Sequence, residues 1–239
     1  MTTGRPEPYP YNIWAVIPVK ETPGAKQRLS ASVPPHLRRE FVLAMLEDVL
    51  AAVSQSRGLA GIAVVTVDSG AGSLAQRYGA RILTGDARGG HTAAVAAAAR
   101  VLAAEGIGGM VQFPGDIPLV TSEEISFVLS MHRAAPSFTI VPSHDDFGSN
   151  AVVVSPPTAV PLTFGEDSFF PHLRTARLCG IDPLVVRLPG IGRDIDNAED
   201  LDAFARIGSA TRTQTFLDRN GFADWERVPN AGIRANHTQ

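Results

Sequence analysis

The sequence predicts an α/β sandwich with a mainly parallel central sheet. Short apolar runs rich in β-branched residues, such as 13–19 and 62–67, are typical of strands that are buried on both faces of a sheet. Longer segments between these runs carry apolar residues at helical spacing, and strands that alternate with helices favour parallel pairing. With 239 residues, 44% of them hydrophobic, the chain is long enough to form one such domain around a substantial core.

Four strands and three helices are predicted in the first half of the chain. The strand over 13–19 carries Pro18 near its end, where a missing backbone N–H is tolerated. The helix over 36–53 repeats apolar residues at helical spacing, and an Ala-rich helix covers 92–104. The other elements of this half are a strand over 62–67, a short helix over 73–78, and strands over 80–83 and 110–113.

Two capping patterns mark helices in the second half. Thr121 and Glu124 predict a capping box for a helix over 122–134, because the hydroxyl and the carboxylate can each accept a hydrogen bond from an exposed N–H group. Asn197 is predicted to cap a last helix that runs to about residue 207. The other elements of this half are strands over 138–141, 151–154 and 184–188 and a helix over 168–178.

One domain over 12–208 accounts for all of these elements. The polar, Pro-rich segment 1–11 lacks the apolar stretch of an export signal and is expected to be a disordered leader. The segment 209–239 is expected to be a C-terminal extension that is partly disordered.

The composition disfavours several classes of function. A net charge of −3 provides no basic field that would attract nucleic acid or an anionic membrane. No apolar run reaches the roughly 20 residues that cross a bilayer. The single cysteine, Cys179, cannot form an internal disulfide, and its position late in a helix favours burial. These features favour a protein of the cytoplasm.

The loop after the first predicted strand is cationic. Of 21 basic residues, Lys20 and Lys26 are the only lysines, and Arg28 lies two positions further on. Ligands bind beyond the carboxyl ends of the strands in parallel sheets, so this loop lies where it could neutralise a triphosphate and a pyrophosphate leaving group. The alternative interpretation is a solvated surface loop.

The segment Pro114-Gly115-Asp116 follows the predicted strand over 110–113. Gly115 lets a nucleotide or a metal ion approach the backbone closely, and Asp116 offers an oxygen ligand to a hard divalent cation. The alternative is an ordinary turn, because Pro, Gly and Asp are common turn residues.

Asp194 and Asp196 form a second acidic feature. Residues at i and i+2 project to the same face of an extended segment, where two carboxylates repel each other unless a cation lies between them. The alternative is that Asp196 caps the following helix; the two interpretations are compatible.

Two polar loops, 144–150 and 164–168, are candidates for binding a small anionic acceptor. Glycines in these loops expose backbone N–H donors, and Ser149 and Ser168 add hydroxyl groups. Ser168 also stands where it could open a helix whose N-terminus attracts phosphate, or act only as the N-cap of that helix.

No pattern indicates covalent catalysis or a zinc site. No serine stands in a nucleophile elbow, and no pair of histidines has zinc-ligand spacing. Three histidines are therefore interpreted as structural or incidental, namely His91, His144 and His172.

These motifs, in this order, resemble the 2-phospho-L-lactate guanylyltransferase family, which makes the phosphoacid-nucleotide precursor of the deazaflavin electron-transfer coenzyme. The resemblance extends over about 14–204. It is carried by Val16-Ile17-Pro18-Val19-Lys20, Lys26-Gln27-Arg28-Leu29, Phe113-Pro114-Gly115-Asp116-Ile117-Pro118-Leu119, Gly148-Ser149-Asn150-Ala151, Phe164-Gly165 with Ser168-Phe169, and Asp194-Ile195-Asp196 before Glu199-Asp200-Leu201.

The resemblance implies a single-domain nucleotidyltransferase with a glycosyltransferase-A-like sandwich, GTP as donor and a small phosphorylated carboxylic acid as acceptor. Magnesium, with manganese as the alternative, is implied at Asp116, Asp194 and Asp196. The implied acceptor-binding residues are Ser149, Gly165 and Ser168. The implied nucleotide-binding residues are Lys20, Lys26, Arg28, Gly90, Thr92, Pro114 and Gly115, and those implied in catalysis are Lys20, Lys26 and Asp116.

Two positions depart from the family pattern. Gly90-His91-Thr92-Ala93 stands where a Gly-Leu-Asn-like helix start is usual, and Ser149 replaces a more usual threonine. Three alternatives to guanylyl transfer remain open: another nucleotidyltransferase of this fold, a nucleotide-sugar glycosyltransferase, and a catalytically silent nucleotide-binding protein. The late position of the Asp194 and Asp196 pair disfavours the glycosyltransferase.

Overall fold

A computed structural model of the chain describes residues 12–20, 29, 32–165 and 167–222. The strands are β1 (Ile13–Pro18), β2 (Leu59–Val65), β3 (Arg81–Leu83), β4 (Gly109–Gln112), β5 (Ser137–Pro142), β6 (Ser149–Ser155) and β7 (Leu184–Val185). The α-helices are α1 (Pro35–Gln55), α2 (Ser69–Arg77), α3 (His91–Ala104), α4 (Ser122–Met131), α5 (Phe169–Leu178), α6 (Ala198–Ile207) and α7 (Arg212–Arg219). None of the helices in the described ranges has the length and apolar character needed to cross a membrane.

The seven strands form one sheet in the order β3-β2-β1-β4-β6-β5-β7. β1 pairs in parallel with β2 and β4, and β2–β3 and β5–β7 are also parallel pairs. Among the described strands, only β6 runs antiparallel to its neighbours, β4 and β5. The predicted α/β sandwich around a mainly parallel sheet is therefore confirmed.

Two hydrophobic clusters cover the two faces of the sheet. Alternation along β1 sends Ala15 and Ile17 into one cluster and Val16 into the other. Helices α1, α2 and α4 pack in the first cluster, and α3 and α5 pack in the second. Because helices cover both faces, a ligand can reach the sheet most readily at the strand ends.

The last two helices belong to a third cluster, which is built on α1. Phe41 of α1 lies 5.5 Å from Phe216 of α7, measured between ring centroids. Asp48 of α1 accepts hydrogen bonds from the backbone N–H groups of Arg212 (2.8 Å) and Thr213 (2.9 Å), at the start of α7. The described part of the predicted C-terminal extension therefore packs on the domain, while 1–11 and 223–239 lie outside the described residues.

Two local predictions need correction. The short helix predicted over 73–78 begins at Ser69, because the Asp68 carboxylate caps it by accepting hydrogen bonds from Gly70 N (2.9 Å) and Ala71 N (3.0 Å). The expectation that Cys179 is buried is wrong, since this residue is exposed at the end of α5.

Glu124 does more than complete the predicted capping box. The Thr121 hydroxyl accepts a hydrogen bond from Glu124 N (3.1 Å), as the pattern predicts. The Glu124 carboxylate, however, accepts short hydrogen bonds from Gly190 N (2.8 Å) and Ile191 N (2.9 Å). It therefore ties α4 to the loop that leads to Asp194.

Candidate active site

A cavity of about 1040 Å³ opens beyond the carboxyl ends of β1 and β4. This is the edge at which open α/β sheets bind their ligands, and the volume is sufficient for a nucleotide. Nine residues selected from the sequence line it: Lys20, Pro114, Gly115, Asp116, Ser149, Gly165, Ser168, Asp194 and Asp196.

Four other selected residues are not brought to this cavity by the described structure. Gly90 precedes α3 with φ +87°, a backbone conformation that favours glycine. The Thr92 hydroxyl accepts a hydrogen bond from Phe164 N (2.9 Å) and so holds Phe164, which does line the cavity. Lys26 and Arg28 lie outside the described residues. The nucleotide contacts of these four residues stay predictions.

The two acidic segments lie beside each other. The Ile195 N–H donates a hydrogen bond to the carbonyl oxygen of Asp116 (3.1 Å), and the Ile195 side chain is buried. Because side chains alternate along an extended segment, the buried Ile195 leaves Asp194 and Asp196 on the side of the cavity. Three carboxylates from two segments that are far apart in sequence thus line one cavity.

Asp194 is the most perturbed carboxylate of the site. Its pKa is raised from 3.8 to about 6, first by burial and then by the carboxylates of Asp116 and Asp196. The Asn150 amide opposes this shift by donating a hydrogen bond from Nδ2 to Asp194 Oδ1 (3.0 Å). The same amide also donates to the Ile191 carbonyl oxygen (3.0 Å), which fixes its orientation. Asp194 is therefore held facing like charges, an arrangement that a cation would relieve.

The carboxylates alone do not complete a metal site. Within the described ranges, no group of three or more His, Cys, Asp or Glu side chains is arranged to hold a metal ion. In nucleotide enzymes, however, Mg²⁺ is usually held by one or two carboxylates together with substrate phosphates and waters. The raised pKa of Asp194 and the oxygen character of the donor set fit that kind of incomplete site.

His91 is close enough to Asp116 and to Lys20 to be influenced by both charges. Burial lowers the pKa of His91 to about 4; Asp116 opposes this shift, and Lys20 adds to it. Its ring packs against Phe164, with centroids 4.4 Å apart, and its Nε2 lies 3.0 Å from the Gln112 amide nitrogen. His91, interpreted from the sequence as structural or incidental, thus lines the cavity as a neutral ring.

The candidate acceptor residues Ser149 and Ser168 are in direct contact. Their hydroxyl oxygens are 3.1 Å apart, and Ser149 Oγ lies 2.9 Å from His172 Nδ1. Ser168 occupies the N-cap position of α5, but its side chain makes no capping hydrogen bond to the helix. At Gly165, which lines the same cavity as the two serines, an added Cβ would meet no heavy atom within 4 Å.

Two further residues of the site had no individual role predicted from the sequence: Asn150 was included only in the candidate acceptor loop 144–150, and His172 was interpreted as structural or incidental. Asn150 lies within a recognised motif, but its partner Asp194 is 44 positions away and leaves no local signal. His172 had a signal, because it follows Ser168 by four residues and therefore shares its face of α5.

The chain matches a family model described as guanylyl transferase CofC like over residues 13–234. A phosphoenolpyruvate guanylyltransferase from Roseiflexus castenholzii is 36% identical over 218 residues, which are 90% of this chain and 100% of that protein. A 3-phospho-D-glycerate guanylyltransferase from Colwellia psychrerythraea is 30% identical over 194 residues, 81% of this chain and 91% of that protein. A 2-phospho-L-lactate guanylyltransferase from Methanothermobacter thermautotrophicus is 30% identical over 208 residues, 87% of this chain and 91% of that protein.

Solved structures share the fold. One from Desulfovibrio desulfuricans G20, described as a nucleotide-diphospho-sugar transferase, superimposes with a TM-score of 0.69 over 89% of this chain and 96% of that chain. The sequence identity is 18%, so this likeness supports the architecture alone.

Proposed function

The chain belongs to the guanylyl transferase CofC-like family and is a nucleotidyltransferase, and we propose that it transfers GMP from GTP to a small phosphorylated carboxylic acid. The acid is 2-phospholactate, phosphoenolpyruvate or 3-phosphoglycerate, and pyrophosphate is released. The product serves the biosynthesis of a deazaflavin coenzyme of the F420 type. The observation that carries this proposal is one cavity lined by Lys20, Asp116 and Asp194 as well as by the Ser149 and Ser168 pair.

The reaction needs little acid–base chemistry from the protein. The phosphate of the acceptor is already an anion, so its oxygen can attack the α-phosphorus of GTP without a strong general base. A bond forms between that oxygen and the α-phosphorus, and the bond from the α-phosphorus to the pyrophosphate oxygen breaks. Catalysis then consists of aligning two phosphates and compensating their charge.

Lys20 supplies positive charge on the donor side. Among the described lining residues it is the only lysine or arginine, and it lies two residues after the end of β1. The Val19 N–H donates to the Val65 carbonyl oxygen (2.9 Å), which holds the backbone before Lys20 against β2. In the proposal, the Lys20 ammonium group binds the triphosphate and stabilises the departing pyrophosphate, with Lys26 and Arg28 as further cations of the same loop.

Asp116, Asp194 and Asp196 are the proposed ligands of Mg²⁺, for which Mn²⁺ is the alternative. When bound, the ion supplies charge that screens the repulsion between the acceptor and donor phosphates. The protein's own part is to orient the carboxylates: Asn150 fixes Asp194, and the hydrogen bond from Ile195 N keeps Asp116 beside the other two. Carboxylates that are oriented by the protein's own hydrogen bonds need less reorganisation during the reaction.

A matrix of substrates tests the proposal. The enzyme is incubated with magnesium, one of the four common nucleoside triphosphates and one of the three phosphoacids, and the products are identified by mass spectrometry. The expected result is pyrophosphate and a guanylylated acid in equal amounts, with GTP preferred. The variant Asp116→Asn should stay folded and lose most of this activity. A fully active Asp116→Asn variant would contradict its role, and release of nucleoside diphosphate from a nucleotide sugar would replace the proposal.

A further inference from the structure

His172 is a buried histidine whose two ring nitrogens both have partners. Its ring packs edge-on against Phe164, with centroids 5.0 Å apart. Nε2 lies 3.0 Å from the backbone nitrogen of Thr163, and Nδ1 lies 2.9 Å from the hydroxyl oxygen of Ser149. The His172 N–H donates to the Ser168 carbonyl oxygen (3.0 Å), so the first turn of α5 places the ring beside both serines.

The contact with Thr163 determines where the ring carries its proton. A backbone N–H can only donate, so Nε2 accepts this bond and has no proton. A neutral imidazole carries one proton, which is therefore on Nδ1 and is donated to the Ser149 oxygen. Burial and the nearby His91 lower the pKa of His172 to about 4, so the ring is neutral at physiological pH.

This assignment leaves one hydroxyl proton of the serine pair without a protein acceptor. Ser149 and Ser168 have two hydroxyl protons, and the contact between their oxygens uses one of them. The other cannot go to His172, because Nδ1 is a donor. The hydrogen bonds of the described residues offer it no further acceptor, and both buried serines line the cavity. A buried donor without an acceptor is costly, so this position favours a ligand that can accept.

We propose that His172 is a positioning residue, which orients the Ser149–Ser168 pair so that one hydroxyl donates to an anionic oxygen of the acceptor acid. The identity of the ligand rests on the proposed function, whereas the direction of the proton follows from contacts within the protein. Carboxylate and phosphate oxygens can only accept hydrogen bonds, so they match the free O–H. If His172 instead accepted a hydrogen bond from Ser149, one hydroxyl proton would be donated to the ring and the other would be used between the two serines. No hydroxyl proton would then be left for the ligand.

The position of the ring proton is measured by ¹⁵N NMR on the whole enzyme without substrate, with histidine labelled and His172 assigned from its backbone resonances. The expected spectrum at neutral pH shows a neutral ring with a protonated Nδ1 and a bare Nε2. A ring protonated at Nε2, or a charged ring, would overturn the inference. This measurement needs no turnover, so its outcome is separate from the fate of the proposed function.

Kinetics then test the consequence for the acceptor. His172→Phe keeps an aromatic ring beside Phe164 but removes the donor, and the KM for the acid should rise about tenfold or more while the KM for GTP changes little. His36→Phe, at an exposed position of α1 that does not line the cavity, is the matched control and should leave both KM values near those of the wild type. Equal increases in both KM values for His172→Phe, or an unchanged KM for the acid, would overturn the positioning role. If His172→Phe does not fold, Ser168→Ala provides the same comparison, because it removes one of the two hydroxyl groups.

A phosphate monoester that lacks the carboxylate identifies the oxygen that is bound. If the His172→Phe penalty disappears for this substrate, the hydroxyl donates to the carboxylate, and if the penalty persists it donates to the phosphate. Both results support the inference. An absence of turnover by the wild type with every phosphoacid would instead reject the proposed function.

Discussion

Replacing Asp194 with asparagine should make the metal-free protein more stable. The pKa of Asp194 in the folded protein is about 6, compared with 3.8 for an ordinary aspartate. Each unit of difference corresponds to about 1.4 kcal/mol, so the ionised carboxylate costs the folded state about 3 kcal/mol at neutral pH. Asparagine has no charge, and its side-chain oxygen can still accept the hydrogen bond from Asn150. Because the site is partly exposed, we expect Asp194→Asn to raise the free energy of unfolding by about 1–2 kcal/mol.

The stability that Asp194→Asn adds depends on pH, and the raised pKa of Asp194 determines the direction of this dependence. The folded pKa lies above the unfolded value, so the folded state binds more protons than the unfolded state between pH 3.8 and about 6. The stability that Asp194 contributes to the wild type therefore falls as pH rises through this window. Asparagine does not titrate. The difference in the free energy of unfolding between variant and wild type should therefore be smallest near pH 3.8, increase up to about pH 6 and then stay constant.

Urea unfolding between about pH 4 and about pH 8, in the presence of a chelator, measures this difference. Asp202→Asn, on the exposed surface of α6, removes one negative charge elsewhere and is the matched control. Magnesium-dependent guanylyl transfer should be lost in Asp194→Asn and kept in Asp202→Asn. A functional site commonly shows this combination of higher stability and lower activity. An Asp194→Asn variant that is less stable than the wild type, or a stability difference that does not change with pH, would show that the ionised Asp194 does not destabilise the folded protein.

Three further substitutions test separate parts of the structure. Gly165→Ala should raise the KM for the acid about fivefold without loss of stability, because its Cβ would enter the open cavity that the serine pair also lines. Gly72→Ala in α2 should leave the KM unchanged in the same steady-state assay. Asp48→Ala should lower the free energy of unfolding by about 2–4 kcal/mol, because it removes the acceptor of three hydrogen bonds at the start of α7. Urea unfolding measures that loss, and unchanged hydrogen exchange in α7 would contradict the anchoring role. Glu124→Ala should lower kcat about tenfold, because it releases the loop before Asp194. The kcat of Glu124→Gln should lie between those of Glu124→Ala and the wild type. Equal kcat values in all three proteins would exclude a role of Glu124 in positioning this loop.

Patterns formed by residues close together in the sequence were sufficient to predict most of the strands and helices. The apolar run over 62–67 predicted a buried strand, and β2 covers Leu59–Val65. Asn197 was predicted to cap the last helix of the domain, and its side chain accepts hydrogen bonds from Glu199 N (2.8 Å) and Asp200 N (3.0 Å). Hydrophobic period and capping chemistry act over a few residues, which explains why a single sequence is enough to reveal them.

Interactions between distant segments could not be predicted in this way. Asp48 and Thr213 are 165 positions apart, so nothing local indicated that α7 packs on α1. The Glu124 carboxylate matched a capping pattern, yet its short hydrogen bonds reach a loop 66 positions away. The candidate site also combines local signals with distant contacts. Residue types and strand ends predicted its acidic and serine residues. The roles of Asn150 and His172, by contrast, depend on partners that only the folded chain brings close.

The proposed function depends on attack by a phosphate oxygen of the acceptor acid on the α-phosphorus of GTP. Mass spectrometry of the products, after transfer to an acid whose phosphate is labelled with ¹⁸O, tests this step. The expected product joins GMP to the acid and retains all of the label, and the released pyrophosphate is unlabelled. Label in the released pyrophosphate, or no joined product with any of the three phosphoacids, would contradict this step.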